Sequence, residues 1–411
     1  MDYGLIGKKL SHSFSAEIHP KLFNCDYSLY ELDEGELENF FSKRRFMGIN
    51  VTVPYKKAVM KYLDYIDDDA EKIGAVNTVL NKNGRLYGYN TDFSGLKALI
   101  VSAGVSLNDK SVIILGSGGT AKTAKAVSEN LGAGNITLIS RTGKNGADTY
   151  ENLKKYHKTA DILINTTPVG MYPDVNESPV SIREFERLTA VFDVIYNPLR
   201  TKLVCDALKK GIIAEGGLKM LVFQAVFAAR LFSGKDIPEK KGCEIFEQIK
   251  RQKENIVLIG MPSSGKSTVG KLIAKRLGRE FVDTDDLIYS THKMSPKNII
   301  ENSGEAVFRN FETAIIKDLS LKQGLVIATG GGAVEREENI DLLKKNGKLF
   351  FLNRKFEGLC ADTSRPLSSN KEQLKALYKR RLPLYKKYAD YTVDDFSSPE
   401  NTANSVLEMI F

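Results

Sequence analysis

Nine residues, Gly260-Met261-Pro262-Ser263-Ser264-Gly265-Lys266-Ser267-Thr268, carry the most specific chemical signal in the chain. They satisfy G-x-x-x-x-G-K-[ST], a spacing that lets backbone N–H groups wrap a row of phosphates. In that arrangement Lys266 reaches the β- and γ-phosphates and the Ser267 hydroxyl ligates Mg²⁺. The apolar run "NIVLI" before the loop predicts a strand, and "STVGKLIAKRL" after it predicts a helix. The implied chemistry is binding of ATP or another nucleoside triphosphate. The loop alone does not name the acceptor of the phosphoryl group.

Four features downstream bear on the acceptor. "FVDTDDLI" puts Asp283 and Asp285 at the end of a predicted strand, two apart and so on one side of it. "GEAVFRNFE" puts Arg309 on a predicted helix, and "ATGGGAV" places Gly330, Gly331 and Gly332 after another strand. "RLPLYKKYAD" places Arg381 beside a proline turn. Two arginines and a bare glycine loop suit a small carboxylic acid, and a nearby aspartate suits a hydroxyl acceptor. Taken singly, each arginine reads equally as a surface ion pair.

A second glycine turn lies upstream in "KSVIILGSGGTAKTAKAV". Gly116, Gly118 and Ala121 match G-x-G-x-x-A, the turn that admits a pyrophosphate to a helix N-terminus. The next strand, "NITLIS", ends in Ser140-Arg141-Thr142, with Lys144 close behind. An acidic residue there would grip the 2′-hydroxyl of NAD; cations and hydroxyls favour the 2′-phosphate of NADP.

A cofactor-binding unit needs a partner that holds substrate. "LSHSFSAEIHP" offers Ser13 and Ser15, whose hydroxyls suit a carboxylate or cap a helix. "GINVTVPYKKAVM" places Lys56 just past a strand end and a proline. "GAVNTV" offers Asn77, and "GYNTDFSGL" offers Asp92 just before a helix. Each alone has a plain reading as an exposed lysine, a turn asparagine or a helix cap. Their order along the chain is the informative part.

The elements that must position these groups alternate throughout. Short β-branched runs are separated by helical patterns, which predicts an α/β protein with parallel sheets. The 411 residues exceed one ordinary core. Hydrophobic content of 42% and charged content of 27% are those of a soluble globular chain. The net charge of +8 is dispersed, and no basic block interleaved with aromatics points to nucleic acid. Cys25, Cys205, Cys243 and Cys360 form no CxxC pair or disulfide framework, so reduced cytoplasmic thiols are expected. The start "MDYGLIGKKLSHS" has no signal-peptide layout. "MLVFQAVFAARLF", interrupted by Gln224 and Arg230, is too short to span a bilayer and predicts a buried amphipathic helix. Residues 235–254 read as a terminal helix running into a polar linker, with a new unit from 255.

The motifs of residues 1–245 together resemble shikimate dehydrogenase: S-x-S, N-V-T-V-P-Y-K, A-V-N-T, N-T-D, the glycine turn, N-T-T-P-V-G-M at 165–171 and "DVIYNPLRTKL" at 193–203. The resemblance implies a substrate-binding α/β domain over 1–100, completed by returning helices at 218–248, around a Rossmann NADP-binding domain over 101–217. It implies that Ser13, Ser15, Thr52, Asn77, Asp92, Tyr196 and Gln224 line the shikimate site, with Lys56 and Asp92 as the catalytic pair. Gly116, Ser117, Gly118, Gly119, Thr120, Ala121, Ser140, Arg141, Thr142, Lys144 and Gly217 would contact NADP(H). One departure is Lys219 in Gly217-Leu218-Lys219-Met220, where the family usually has a glycine beside the nicotinamide.

Residues 255–395 resemble shikimate kinase, which implies a P-loop α/β/α domain of the nucleoside-monophosphate-kinase type. By that resemblance Ser263, Ser264, Gly265, Lys266, Ser267, Thr268 and Arg365 bind ATP, with Arg365 on a lid. Asp285, Arg309, Gly331 and Arg381 bind shikimate, Asp285 also acts on its 3-hydroxyl, and Ser267 with Asp283, through water, holds Mg²⁺. A second departure is the missing adenine-stacking arginine ahead of "RPL", where this chain has Gly358. The two resemblances together imply one chain that reduces 3-dehydroshikimate and phosphorylates shikimate. It is expected to be cytoplasmic, a monomer or homodimer, without nucleic-acid or membrane partners. Rival readings are a quinate/shikimate-type dehydrogenase fused to another small-molecule P-loop kinase, and a metabolite-binding module with one inactive half.

Overall fold

A computed structural model describes residues 3–10, 13–144, 146–156, 158–360 and 370–410. The chain divides into two compact units, Met1–Ile249 and Lys250–Phe411. In place of a coil linker, residues Glu239–Lys253 form one helix, and the first strand of the second unit starts at Asn255.

The first unit contains two six-stranded sheets. The N-terminal sheet is mixed, in the order Tyr27–Glu31, Tyr3–Gly7, Gly48–Val51, Thr78–Lys82, Arg85–Tyr89, Tyr65–Ile66. Strand periodicity sorts its apolar residues to two faces. Ile6, Ile49, Val51 and Val79 enter one core, while Tyr3, Leu5 and Leu80 pack with Ala228 and Phe232 in another. The antiparallel pair Thr78–Lys82 and Arg85–Tyr89 closes through Asn83-Gly84, with φ of 51° and 81°. That is the two-residue turn whose twist matches a hairpin.

The second sheet is parallel, in the order Asp148–Thr149, Asn135–Ser140, Ser111–Leu115, Ile162–Asn165, Ala190–Asp193, Ile213–Glu215. Numbered along the chain this is 3-2-1-4-5-6, the doubly wound order. Ile113 and Leu115 face one helical layer, Val112 and Ile114 the other. The crevice at the order reversal lies outside the carboxyl ends of Ser111–Leu115 and Ile162–Asn165, where the glycine turn begins.

Helices Leu218–Ser233 and Glu239–Lys253 return to the N-terminal half. Their Leu218, Val222, Ile245 and Ile249 share a core with Phe14, Ile18 and Leu22. Helix Leu218–Ser233 also crosses Thr91–Ser102 in close contact. A Cβ at Gly95 would lie 2.6 Å from the Met220 carbonyl oxygen and 2.9 Å from Gln224 Cβ, so only glycine permits this crossing. The crossing brings Asp92 and Gln224 to one cleft.

His19 is fully buried on helix Ser15–Leu22, stacked on Tyr27 with ring centroids 4.1 Å apart. Neither ring nitrogen has a hydrogen-bond partner among the described residues. Burial pushes its pKa down to about 3. Because the folded-state value lies below the unfolded one, the unfolded chain takes the proton first. Stability is therefore full above about pH 6.5 and is lost as pH falls towards 3. Between pH 7 and pH 5 the first unit should lose about 2 kcal/mol on this account. Urea unfolding of His19→Phe, compared with the parent at both pH values, should show that much less pH dependence. Equal slopes would remove His19 as the cause.

The second unit is a five-stranded parallel sheet, ordered Phe281–Asp283, Val326–Ala328, Asn255–Ile259, Gly347–Leu352, Tyr391–Val393. Val257 and Ile259 point into one core with Phe308, Ile316 and Leu377, and Ile256 and Leu258 into the other with Val269, Ile273 and Val406. Helices thus cover both faces, giving three layers. Asn255–Ile259 occupies the centre and delivers the phosphate loop to the sheet's carboxyl edge.

Candidate active sites

In the first unit, Lys56 Nζ donates to Asp92 Oδ2 at 2.5 Å. The pair is partly shielded, with side-chain exposures of 17% and 11%. Asp92 lies in the first turn of helix Thr91–Ser102 rather than before it, and Asn90 provides the cap by accepting from Phe93 N. This leaves the Asp92 carboxylate to the lysine.

Asn77 ties that helix to the sheet. Its Oδ1 accepts from Thr91 N at 2.7 Å and its Nδ2 donates to Thr91 Oγ1 at 3.1 Å. Thr91 Oγ1 in turn donates to Gln224 Oε1 at 3.4 Å. Behind Asn77, Asn50 Nδ2 donates to Thr78 Oγ1 at 3.0 Å, and Tyr27 Oη donates to Asn50 Oδ1 at 2.8 Å. Ser13 Oγ accepts from Ser15 N at 3.2 Å, just ahead of the short helix, whose N-cap position is Phe14. Tyr196 enters from the other half of the unit and leans on Phe14, with ring centroids 5.2 Å apart. Thr52 follows strand Gly48–Val51, its N donating to the Ile6 carbonyl at 2.9 Å. Asn77, Thr91 and Gln224 are thus joined in one network next to Asp92 and the Lys56 ammonium, hydroxyls and amides of the kind that suit a polyhydroxylated acid. Tyr27, Asn50, Thr78 and Thr91 are absent from the expectations above. Thr91 stands inside the quoted N-T-D motif, but no local spacing marks the other three.

The glycine turn runs from strand Ser111–Leu115 into helix Gly119–Asn130, with Gly118 as its cap. Ser117, Thr120 and Ala121 follow the same path. Ser140 is buried, and its Oγ accepts from Gly143 N at 3.0 Å. It therefore shapes the turn that leaves Arg141, Thr142 and Lys144 exposed. That turn can hold a second, isolated phosphate. Across the crevice, Asp193 is fully buried and accepts from Thr201 Oγ1 at 2.7 Å, Ile195 N at 3.0 Å and Asn165 Nδ2 at 3.1 Å. Burial pushes its pKa up to about 6 against the pull of these bonds. It fixes the ends of two strands and the approach to Gly217, whose N donates to Ile195 O at 2.8 Å. The Lys219 ammonium lies over the Phe246 ring, 5.1 Å from its centroid. The residue that departs from the expected glycine is thereby engaged by helix Glu239–Lys253.

In the second unit, the phosphate loop leads into helix Lys266–Leu277. Lys266 Nζ donates to the carbonyls of Gly260 at 3.0 Å and Met261 at 2.8 Å. Ser263 adopts φ of 62°, and the Ser264 hydroxyl is buried without a hydrogen-bond partner among the described residues. Thr268 continues the first turn beside Ser267. Ser267 Oγ donates to Asp283 Oδ2 at 2.6 Å. A hydroxyl and a carboxylate side by side at the phosphate loop form a hard oxygen set that fits Mg²⁺.

Two placements correct the expectation. Asp285 is not on the strand with Asp283: the strand ends at Asp283, which caps helix Thr284–His292 by accepting from Asp285 N at 3.0 Å. Arg381 is not at a turn, because helix Lys371–Tyr388 runs through Pro383. Arg309 lies on helix Glu305–Leu319, as expected.

Under the glycine loop, a Cβ at Gly330 would lie 2.6 Å from Glu312 Oε1 and 2.9 Å from Asp285 Oδ1. The two carboxylates therefore meet there. Arg309 Nη1 donates to Glu312 Oε2 at 2.8 Å, and its guanidinium lies so close to Gly332 that no side chain fits at that position. Burial alone would lower the Arg309 pKa, but Glu312, Glu305 and Glu335 raise it. Burial raises the pKa of Glu312 despite Arg309. Tyr385 Oη donates to the Gly331 carbonyl, fixing the loop. Arg381 is buried, and Glu335 bridges it to Arg309 and Arg380. Glu312 and Glu335 were not expected; only the i, i+3 spacing of Arg309 and Glu312 signals either of them. Arg365 lies outside the described residues. Near the departure at Gly358, Arg354 places its guanidinium over Phe396, 5.8 Å from the ring centroid.

Comparison with known proteins finds relatives for both units. Residues 5–79 match the family model "Shikimate dehydrogenase substrate binding domain", and residues 262–411 match "Shikimate kinase". The shikimate dehydrogenase (NADP(+)) of Clostridium beijerinckii is 40% identical over 245 residues, covering 56% of this chain and 91% of that protein. The crystal structure of shikimate dehydrogenase 1 from Peptoclostridium difficile superposes with a TM-score of 0.57 at 35% identity, over 60% of this chain and 97% of the other. A chorismate mutase/shikimate 5-dehydrogenase fusion protein from Clostridium acetobutylicum gives 0.57 at 34% identity, over 61% and 97%. The chain belongs to the shikimate dehydrogenase family and carries a shikimate kinase domain behind it.

Proposed function

We infer that this protein is a bifunctional enzyme of aromatic amino acid biosynthesis. It reduces 3-dehydroshikimate to shikimate with NADPH and phosphorylates shikimate to shikimate 3-phosphate with ATP and Mg²⁺. The observation that carries the reading is convergence. Two unrelated glycine turns each stand beside a cleft built for one small hydroxylated acid: Lys56–Asp92 with Asn77 in one unit, Arg309 and Arg381 with Asp285 in the other.

When bound, NADPH supplies a hydride and ATP with Mg²⁺ supplies the phosphoryl group. In the first site Ser13, Ser15, Thr52, Asn77, Tyr196 and Gln224 orient the acid. Lys56 gives a proton to the carbonyl oxygen as it becomes an alkoxide, and Asp92 holds the ammonium in place. Exposed Arg141, Thr142 and Lys144 receive the 2′-phosphate that distinguishes NADP from NAD. In the second site Arg309 and Arg381 take the carboxylate of shikimate against Gly331, and Asp285 orients its 3-hydroxyl and accepts the proton. Lys266 would neutralise bound phosphates, and Ser267 and Asp283 would hold the metal. Catalysis there is positioning and charge neutralisation.

Among the described residues no helix is long and apolar enough to cross a membrane. We place the enzyme in the cytoplasm, as a monomer or homodimer that acts on metabolites. The test is one vessel containing 3-dehydroshikimate, NADPH, ATP and Mg²⁺, followed by mass spectrometry for shikimate 3-phosphate. Quinate with NAD⁺ in a parallel vessel should turn over far more slowly. Absence of the phosphorylated product from folded protein would end the reading.

A further inference from the structure

We propose that Glu335 is a resident competitor for the carboxylate-binding arginines of the kinase site, which the substrate must displace. The proposal rests on the kinase reading above. Glu335 ends the short 3₁₀ turn Ala333–Glu335, directly after the glycine loop. Its Oε2 accepts from Arg381 Nη2 at 2.8 Å and lies 3.4 Å from Arg309 Nη2. Its Oε1 pairs with Arg380 Nη2 at 2.6 Å. One carboxylate thus occupies the place where the two buried guanidinia converge.

The hydrogen-bond inventory of Arg381 sharpens this. A carboxylate docks most strongly on the side of a guanidinium that presents two parallel N–H donors, Nε and Nη2. Arg381 is 2% exposed, and its Nε has no hydrogen-bond partner among the described residues. Its Nη2 is held by Glu335. The fork is half used by a monodentate occupant, and a bidentate acid needs both prongs. Charge leads to the same conclusion. Arg309 already faces Glu312 and Glu305, so a further carboxylate arriving while Glu335 stays would gather excess negative charge in a partly buried space. Burial would raise the Glu335 pKa, but Arg381, Arg309 and Arg380 lower it, so the competitor remains ionised at neutral pH.

Displacement has a route. The Arg380 side chain is 56% exposed and holds the opposite oxygen of Glu335. Glu335 can release the two buried arginines and keep this outer partner. Glu335 then sets the concentration of acid at which the site fills, whereas a neutral analogue, which cannot compete for the fork, binds with Glu335 left in place.

Steady-state kinetics of Glu335→Gln in the full chain test this, with the reductase activity of the same chain as the concentration standard. The KM for shikimate should fall about tenfold, and kcat should change less than KM. The KM for the methyl ester of shikimate, which brings no charge, should stay within twofold of the parent. A shikimate KM that rises or falls less than threefold would overturn the proposal, as would an equal change for acid and ester. Glu335→Leu should move KM in the same direction. If either variant unfolded the second unit, as seen by loss of its thermal transition, Glu335 would be a structural clamp instead. Failure of the parent to phosphorylate shikimate would count against the kinase reading, which separates the two outcomes.

Discussion

Lys56→Ala is expected to lower kcat for reduction of 3-dehydroshikimate by about 10²–10⁴ while leaving phosphorylation of shikimate at the parent rate. The oxygen that receives the hydride's electrons needs a proton, and Lys56 holds an ammonium at that edge of the cleft, 2.5 Å from Asp92. Removing it takes away the proton and the positive charge together. It also leaves the Asp92 carboxylate buried beside its former partner, which opposes build-up of negative charge on the substrate. Lys56→Met, which keeps most of the side-chain volume, should show a loss of the same order. NADPH absorbance reports the reduction directly. A loss below tenfold in both variants would mean that Lys56 binds substrate without taking part in proton transfer.

Lys266→Ala should do the reverse, lowering phosphorylation by about 10²–10³ and sparing reduction. Lys266 is 7% exposed and bonds to the carbonyls of Gly260 and Met261, which aims its ammonium along the loop. No other cation occupies the loop itself, so its removal strips the loop of its positive charge. A coupled ADP assay measures the loss. Each unit has its own hydrophobic cores, and the two losses should therefore be independent. A Lys56→Ala, Lys266→Ala chain should show each defect at its single-variant size. A kinase defect in Lys56→Ala, or a reductase defect in Lys266→Ala, would contradict that separation.

Much of this was legible because the chemistry depends on short, contiguous spacings. The phosphate loop, the dinucleotide turn and Asp92 after Asn90-Thr91 are local, and local geometry is what sequence encodes most directly. Strands such as Ser111–Leu115 and Asn255–Ile259 read as continuous apolar runs because both of their faces are covered. Strand Tyr27–Glu31 is an edge strand with three exposed residues, so its composition resembles a loop. The hairpin at Asn83-Gly84 did carry a readable asparagine–glycine signal. Asp285 was displaced from its expected strand because Asp283 is a strong helix cap, and the cap ended the strand first. Arg381 was placed at a turn because proline usually breaks helices; here packing of Leu374, Leu377 and Tyr385 carries the helix past Pro383. Tyr27, Asn50 and Glu335 were invisible for a different reason. Each acts on a partner remote in the chain, and no periodicity announces that meeting.

The core that joins Phe14, Ile18 and Leu22 to Val222, Ile245 and Ile249 has a consequence for translation. At roughly 5–20 residues per second, the ribosome releases the first helix roughly 10 to 50 seconds before the residues that cover it. During that interval the nascent chain presents a greasy, unpartnered segment, and the half that holds the acid cannot be finished. The kinase unit has a shorter wait of the same kind, because Ile256 and Leu258 of its first strand are covered by Val406 of its last helix.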